Sequence, residues 1–229
     1  MRIAIYGDSL TEGIPGLSFF KALECKIPEH ALVNRGKRGD TVVSLFRRIV
    51  RDGTSGPVGL AILWVGVNDV LAKVSRSHAA LKHLMRQPRA KDLSEFSDYY
   101  SRILKLIQPS ADRILAVSPL LIGESLSNRW NRELGDVCEV IASASSGYAH
   151  YIDLRAEIAA RWSESQCSDY IPKLVTRIAW DSLFRRTPAA VDKAASRRGL
   201  QFTLDGVHLN STGVQVVAEV LRKAIERPA

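Results

Sequence analysis

The chain has 229 residues, 46% of them hydrophobic and 24% charged, with a net charge of +8 at neutral pH. That balance supports a sizeable buried core and excludes a disordered chain, and no run approaches the roughly 18 uninterrupted apolar residues of a bilayer-spanning helix. The charge itself would suit nucleic acid, an anionic membrane or an acidic small molecule. Its clusters at Arg35, Lys37 and Arg38, at Arg47, Arg48 and Arg51, and at Arg185, Arg186, Arg197 and Arg198 are scattered rather than interleaved with aromatic residues, which disfavours a nucleic-acid platform.

Short apolar runs alternate with longer amphipathic stretches along the chain. RIAIY (2–6), HALVN (30–34), VGLAILWV (58–65), RILAVS (113–118) and HYIDL (150–154) are rich in β-branched and aromatic residues, as strands buried on both faces are. Between them Phe96, Tyr100, Ile103, Leu104 and Ile107 recur at helical spacing, and Val214, Val217, Ala218, Leu221 and Ile225 do so near the C-terminus. This alternation predicts an α/β fold: one three-layer α/β/α domain over 1–229 around a central, mostly parallel sheet, flavodoxin-like in plan. Two segments fit the alternation poorly, about 72–92 and about 163–203, and are expected to be lid-forming insertions.

Met1-Arg2 runs into a short apolar stretch with no signal-peptide h-region, and Cys25, Cys138 and Cys167 are odd in number and far apart. The expectation is a cytoplasmic chain with structural thiols. No H-E-x-x-H, C-x-x-C or Walker sequence is present, so neither a metal nor a cofactor is expected.

If 2–6 is the first strand, Gly7-Asp8-Ser9 is the turn at its carboxyl end, where α/β proteins place reactive groups. Ser9 there is either a helix cap or a nucleophile. A nucleophilic serine needs a base and oxyanion donors, so its partners decide the matter. Among five histidines, His208 sits in LDGVHLNSTG three residues after Asp205, a spacing that can set the carboxylate on one imidazole nitrogen and leave the other facing a serine. The loop Asn34-Arg35-Gly36-Lys37-Arg38-Gly39-Asp40-Thr41 offers the backbone N–H of Gly39, and Gly66-Val67-Asn68-Asp69 offers the Asn68 amide.

The ordered set GDSL (7–10), N-x-x-x-x-GDT (34–41), G-x-ND (66–69) and D-x-x-H (205–208) resembles the GDSL, or SGNH, hydrolase family. Ordinary α/β-hydrolases carry G-x-S-x-G well inside the chain, and Thr11 stands where its second glycine would be. The resemblance implies a serine carboxylic ester hydrolase with a Ser9-His208-Asp205 triad, an oxyanion hole of Ser9, Gly39 and Asn68, and no cofactor. It implies a small-molecule ester as the partner, most simply a short-chain or O-acetyl ester. Alternatives on the same site are a thioesterase, a lysophospholipase-type lipid hydrolase or an O-acyltransferase, and a basic binding module that kept the fold is the non-enzymatic one. Arg35 and Arg38 beside Gly39 are candidates to hold an anionic group of the substrate, and Trp180 and Phe184 to line an acyl pocket.

Overall fold

The structure, a computed structural model, describes residues 1–161 and 168–227. Five strands, β1 (Arg2–Gly7), β2 (Ala31–Gly36), β3 (Leu60–Trp64), β4 (Ile114–Val117) and β5 (His150–Ile152), form one parallel sheet in the order β2-β1-β3-β4-β5. The inner strands β1, β3 and β4 are the most continuously apolar, as burial on both faces demands; the edge strands β2 and β5 are half-exposed. One face is covered by α3 (Val42–Asp52), α6 (Leu93–Ile107) and α7 (Arg129–Ser145). The other carries α2 (Phe20–Lys26), α8 (Leu154–Ala159) and α11 (Ser211–Glu226). The predicted stripes of α6 and α11 are all buried in the resulting core. Among the described residues no helix is long and apolar enough to cross a membrane.

Register decides where the site lies. Gly7 stands level with Gly36 on one side and Trp64 on the other, so β1, β2 and β3 end together and release their loops at one edge. The chain passes from β1 to one neighbour and returns across it to the other, which makes the crevice above β1 and β3 the topological switch point.

The short helices α1 (Ser9–Glu12) and α4 (Val67–Leu71) leave that edge directly. Within 72–92 lies α5 (Arg76–Leu84), and within 163–203 lie α9 (Val175–Phe184) and α10 (Pro188–Arg197); residues 163–167 of the second segment, Cys167 with them, are outside the described residues. The two segments are tied together: the Oγ atoms of Ser75 and Ser77 donate to the Lys173 carbonyl at 2.7 and 2.8 Å.

A buried guanidinium clamps the strand ends. Arg48 of α3 donates from Nε to Asp40 at 2.7 Å and from Nη2 to the carbonyls of Arg35 and Gly7 at 2.9 and 3.2 Å. Removing the cation leaves the Asp40 carboxylate, itself shut away from water, without its charge partner. Arg48→Met is expected to cost about 3 kcal/mol, since breaking a buried pair from one side is far costlier than replacing both members. The check is a drop in the urea midpoint at unchanged m-value.

Candidate active site

Gly7 ends β1 because nothing larger fits: a Cβ there would stand 2.5 Å from the Trp64 carbonyl and closer still to Thr11 Oγ1. Asp8 then caps α1, accepting the Leu10 N–H at 2.9 Å, and Ser9 begins the helix with its side chain turned to the pocket. Ser9 Oγ lies 3.0 Å from His208 Nε2.

The histidine is delivered by a pinned loop. Thr203 and Leu209 form an antiparallel bridge, and within the turn Asp205 Oδ1 accepts the backbone N–H groups of Val207 and His208 at 3.1 and 2.9 Å. Its Oδ2 takes His208 Nδ1 at 2.8 Å. Burial opposes the Asp205 charge, but His208 and these N–H donors outweigh it and hold the carboxyl below the usual range. An ionised Asp205 can only accept, so Nδ1 carries the proton and Nε2 presents a lone pair to the Ser9 hydroxyl.

Behind the loop stands Glu124, fully buried. Its carboxylate accepts the N–H groups of Gln201, Phe202 and Thr203 at 2.6, 2.9 and 2.8 Å and the Thr203 hydroxyl at 2.7 Å. Nothing in the local sequence marks this residue, because its partners lie more than 70 positions away.

Three residues that carry N–H donors, Ser9, Gly39 and Asn68, line the pocket. The N–H groups of Ser9 and Gly39 have no protein partner among the described residues. Gly39 has φ +78°, a left-handed conformation that glycine adopts without cost, and Gln87 fills the room a Cβ would need. The Asn68 amide gives one hydrogen to Asp8 Oδ2 at 3.0 Å and keeps the other free. Its Oδ1 accepts from Lys82 Nζ at 2.8 Å, and the same ammonium donates to the Gly39 carbonyl at 2.5 Å. Lys82 lies on α5 within the 72–92 insertion, and no local motif marks it.

Buried charge dominates the electrostatics. Burial pushes the Asp8 carboxyl up to about 6, against the pull of the Leu10 N–H, Lys82, His208 and Asn68. Asp69 is pushed to about 7, again chiefly by burial, while it accepts the N–H groups of Val42 and Ala90. Burial brings Lys82 down to about 8, with Asp8, Asp69 and Asp40 resisting. Among the described residues no cluster of three or more His, Cys, Asp or Glu side chains is placed to hold a metal.

These groups sit in a pocket of about 710 Å³ that contains Ser9, Gly39, Asn68 and His208. Its walls come largely from the two insertions, Leu81 and Met85 on one side and Val175, Ile178 and Leu183 on the other. The five residues Ser9, Gly39, Asn68, Asp205 and His208, up to 199 positions apart, are thus brought together. Arg38 lines the pocket and is ion-paired with Glu12 at 3.0 Å.

The other three substrate-contact expectations are corrected. Arg35 lies on the face of β2 covered by α3 and donates to the Gly53 carbonyl at the end of that helix. Trp180 and Phe184 are 58% and 57% exposed and stack on each other at 4.1 Å, outside the pocket. The reason is the helical face: Val175, Ile178, Ala179 and Ser182 (i, i+3, i+4, i+7) turn inward, which puts 180 and 184 on the opposite side.

The model of the GDSL-like lipase/acylhydrolase family matches residues 5–216. No curated protein is matched by the chain's sequence. Among solved structures, an acetylxylan esterase from Geobacillus stearothermophilus superposes with a TM-score of 0.67 at 17% identity, over 99% of this chain and 94% of that one. The acetyl xylan esterase AlAXEase does so with 0.68 at 20% identity, over 98% and 100%. An alpha/beta hydrolase enzyme from the metagenome of Lake Arreo, Spain, gives 0.67 at 18%, over 97% and 94%. At these identities the likeness is one of fold.

The Glu124 clamp generates a measurable expectation. Glu124→Gln keeps the shape but replaces one acceptor oxygen by a donor, so at least one N–H of residues 201–203 loses its carboxylate acceptor, at a cost of about 2 kcal/mol. Native-state hydrogen exchange should accelerate at 201–208 before it does in the sheet.

Proposed function

Since the chain belongs to the GDSL-like lipase/acylhydrolase family, whose members are carboxylic ester hydrolases, we propose that it cleaves its ester through an acyl-enzyme on Ser9, with His208 as general base and Asp205 as its orienting partner. The observation that supports this best is the unbroken run from Ser9 Oγ to His208 Nε2 at 3.0 Å and from His208 Nδ1 to Asp205 at 2.8 Å, at the floor of a pocket. His208 takes the Ser9 proton as Oγ attacks the ester carbonyl carbon. Asp205 stabilises the imidazolium that forms.

The carbonyl oxygen becomes an oxyanion held by the N–H groups of Ser9 and Gly39 and the free Asn68 amide hydrogen, each worth about 3 kcal/mol in comparable sites. His208 then gives its proton to the departing alcohol oxygen, and water activated by the same histidine releases the acid. Asp8 and Asp69 shape the turns and take no part in proton transfer.

The acyl specificity follows from the walls. A pocket of about 710 Å³ faced by Leu81, Met85, Ile178 and Leu183 is far larger than an acetyl group and favours an acyl chain of several carbons. Its rim carries Arg38, Arg185 and Arg186; Arg38 pairs with Glu12 and Arg185 with Asp181, so among the described residues Arg186 is left without a carboxylate partner, which favours an anionic alcohol portion. The two insertions act as the lid over this chain. A second reading, O-acetyl esters of sugars, draws on the acetylxylan esterases that share the fold; there the large pocket would hold the sugar.

Hydrolysis of a p-nitrophenyl ester series separates the two. We expect kcat/KM to rise up to about fourfold per added methylene until the pocket fills, the value of burying one methylene. A maximum at acetate with release of acetate from acetylated xylo-oligosaccharides would establish the sugar reading instead. Ser9→Ala should lower the rate at least about 1,000-fold with the fold intact, and His208→Ala should abolish labelling by a fluorophosphonate. Undiminished hydrolysis by Ser9→Ala would overturn the nucleophile.

A further inference from the structure

The insertion helix α5 brings an ammonium into the centre of the machinery. Lys82 is 8% exposed, yet it has no carboxylate within ion-pair distance among the described residues. Its two hydrogen bonds go to Asn68 Oδ1 and the Gly39 carbonyl, which belong to loops 29 positions apart and to the two residues proposed to hold the oxyanion beside Ser9.

The chemistry of the contacts fixes their direction. An ammonium only donates and an ionised carboxylate only accepts, so Lys82 on one side and Asp8 on the other admit a single orientation of the Asn68 amide: Oδ1 toward Lys82, Nδ2 toward Asp8. That orientation leaves the second amide hydrogen, not the carbonyl oxygen, for the substrate. The bond to the Gly39 carbonyl anchors the same loop whose N–H completes the hole. One turn earlier on α5, His78 donates no second charge: burial and then Lys82 push it down to about 4, so it is neutral where the enzyme works.

We propose that Lys82 is a positioning residue of the oxyanion hole, holding the Asn68 amide and the Gly39 loop in their donating arrangement and lending the site a positive charge that favours the oxyanion. The inference rests on the Ser9 mechanism above and deepens it: the hole is completed by a residue of the lid insertion. The groups that face Lys82 are Asp8 after β1, Asp40 before α3, Asp69 on α4, His78 on α5 itself, and His208 across the pocket through its field on His78 and Asp8.

Lys82→Met is expected to lower kcat between about tenfold and a hundredfold, below the loss of a whole direct donor, with KM within about twofold. Affinity for a tetrahedral boronic-acid inhibitor should fall by the same factor as kcat. In the unsubstituted enzyme kcat should decline as pH rises through about 8, where Lys82 loses its proton, and this limb should be missing from Lys82→Met. A kcat within twofold of the parent in a folded Lys82→Met, or an alkaline limb that persists in it, overturns the proposal.

If Lys82→Met does not fold by circular dichroism, Lys82→Gln, which keeps a donor but not the charge, takes its place with the same criteria. A parent enzyme whose kcat stays flat to pH 9 while folded also overturns it. Loss of activity in Ser9→Ala beside unimpaired Lys82→Met would sink this inference alone, whereas an active Ser9→Ala sinks the mechanism beneath it.

Discussion

Parallel pairing in register is the constraint on which the site depends. Because Gly7, Gly36 and Trp64 are level, three loops start from one line, and groups from residues 8–9, 37–40 and 66–69 meet without any long excursion of the chain. The strands themselves contribute none of the reactive atoms. They contribute a rigid edge, buried on both faces, whose cost of deformation is shared by the whole core. The fourth loop, 202–210, does not follow a strand of the sheet and has to be located by other means; Glu124 and the Thr203–Leu209 bridge do so.

A second principle is that the charged groups beside the site are kept dry and each is given polar partners. Asp8, Asp69, Asp40, Lys82 and Glu124 are all buried, and each carboxylate oxygen or ammonium proton with a stated partner is directed at a backbone group, a hydroxyl, an amide or a guanidinium. Such a network is rigid when satisfied and costly when broken, so it holds the donors in place without help from substrate. The raised carboxyls of Asp8 and Asp69 show the strain of that arrangement: low dielectric weakens the charges that hold the turns, and backbone N–H groups compensate.

The sheet, its helices and the five motif residues were legible because each rests on local rules. Continuous apolar runs mark β1 and β3, helical spacing marks α6 and α11, turn chemistry after a strand marks Ser9, Gly39 and Asn68, and the D-x-x-H spacing marks the Asp205–His208 pair. What escaped was everything set by tertiary orientation. The apolar character of α9 was visible, but which side of it meets the pocket depends on how the helix is laid down, and so Trp180 and Phe184 were assigned to the wrong face. Arg35 was placed by sequence proximity to Gly39, although side chains alternate along a strand and proximity along the chain is not proximity in space. Lys82 and Glu124 carry no local signal, since a buried charge is identified by partners dozens of residues distant.

The helix α5 does two jobs with adjacent residues. Leu81 and Met85 form part of the pocket wall, while Lys82, the immediate neighbour of one and three residues before the other, braces the hole. Selectivity and turnover are therefore linked in this chain. A change in the wall that suits a new acyl group shifts the helix that carries the ammonium. Broadening the substrate range without loss of speed is easier from the opposite wall, where Ile178 and Leu183 touch the pocket and, among the described residues, none adjacent to them in the chain is hydrogen-bonded to Asn68 or Gly39.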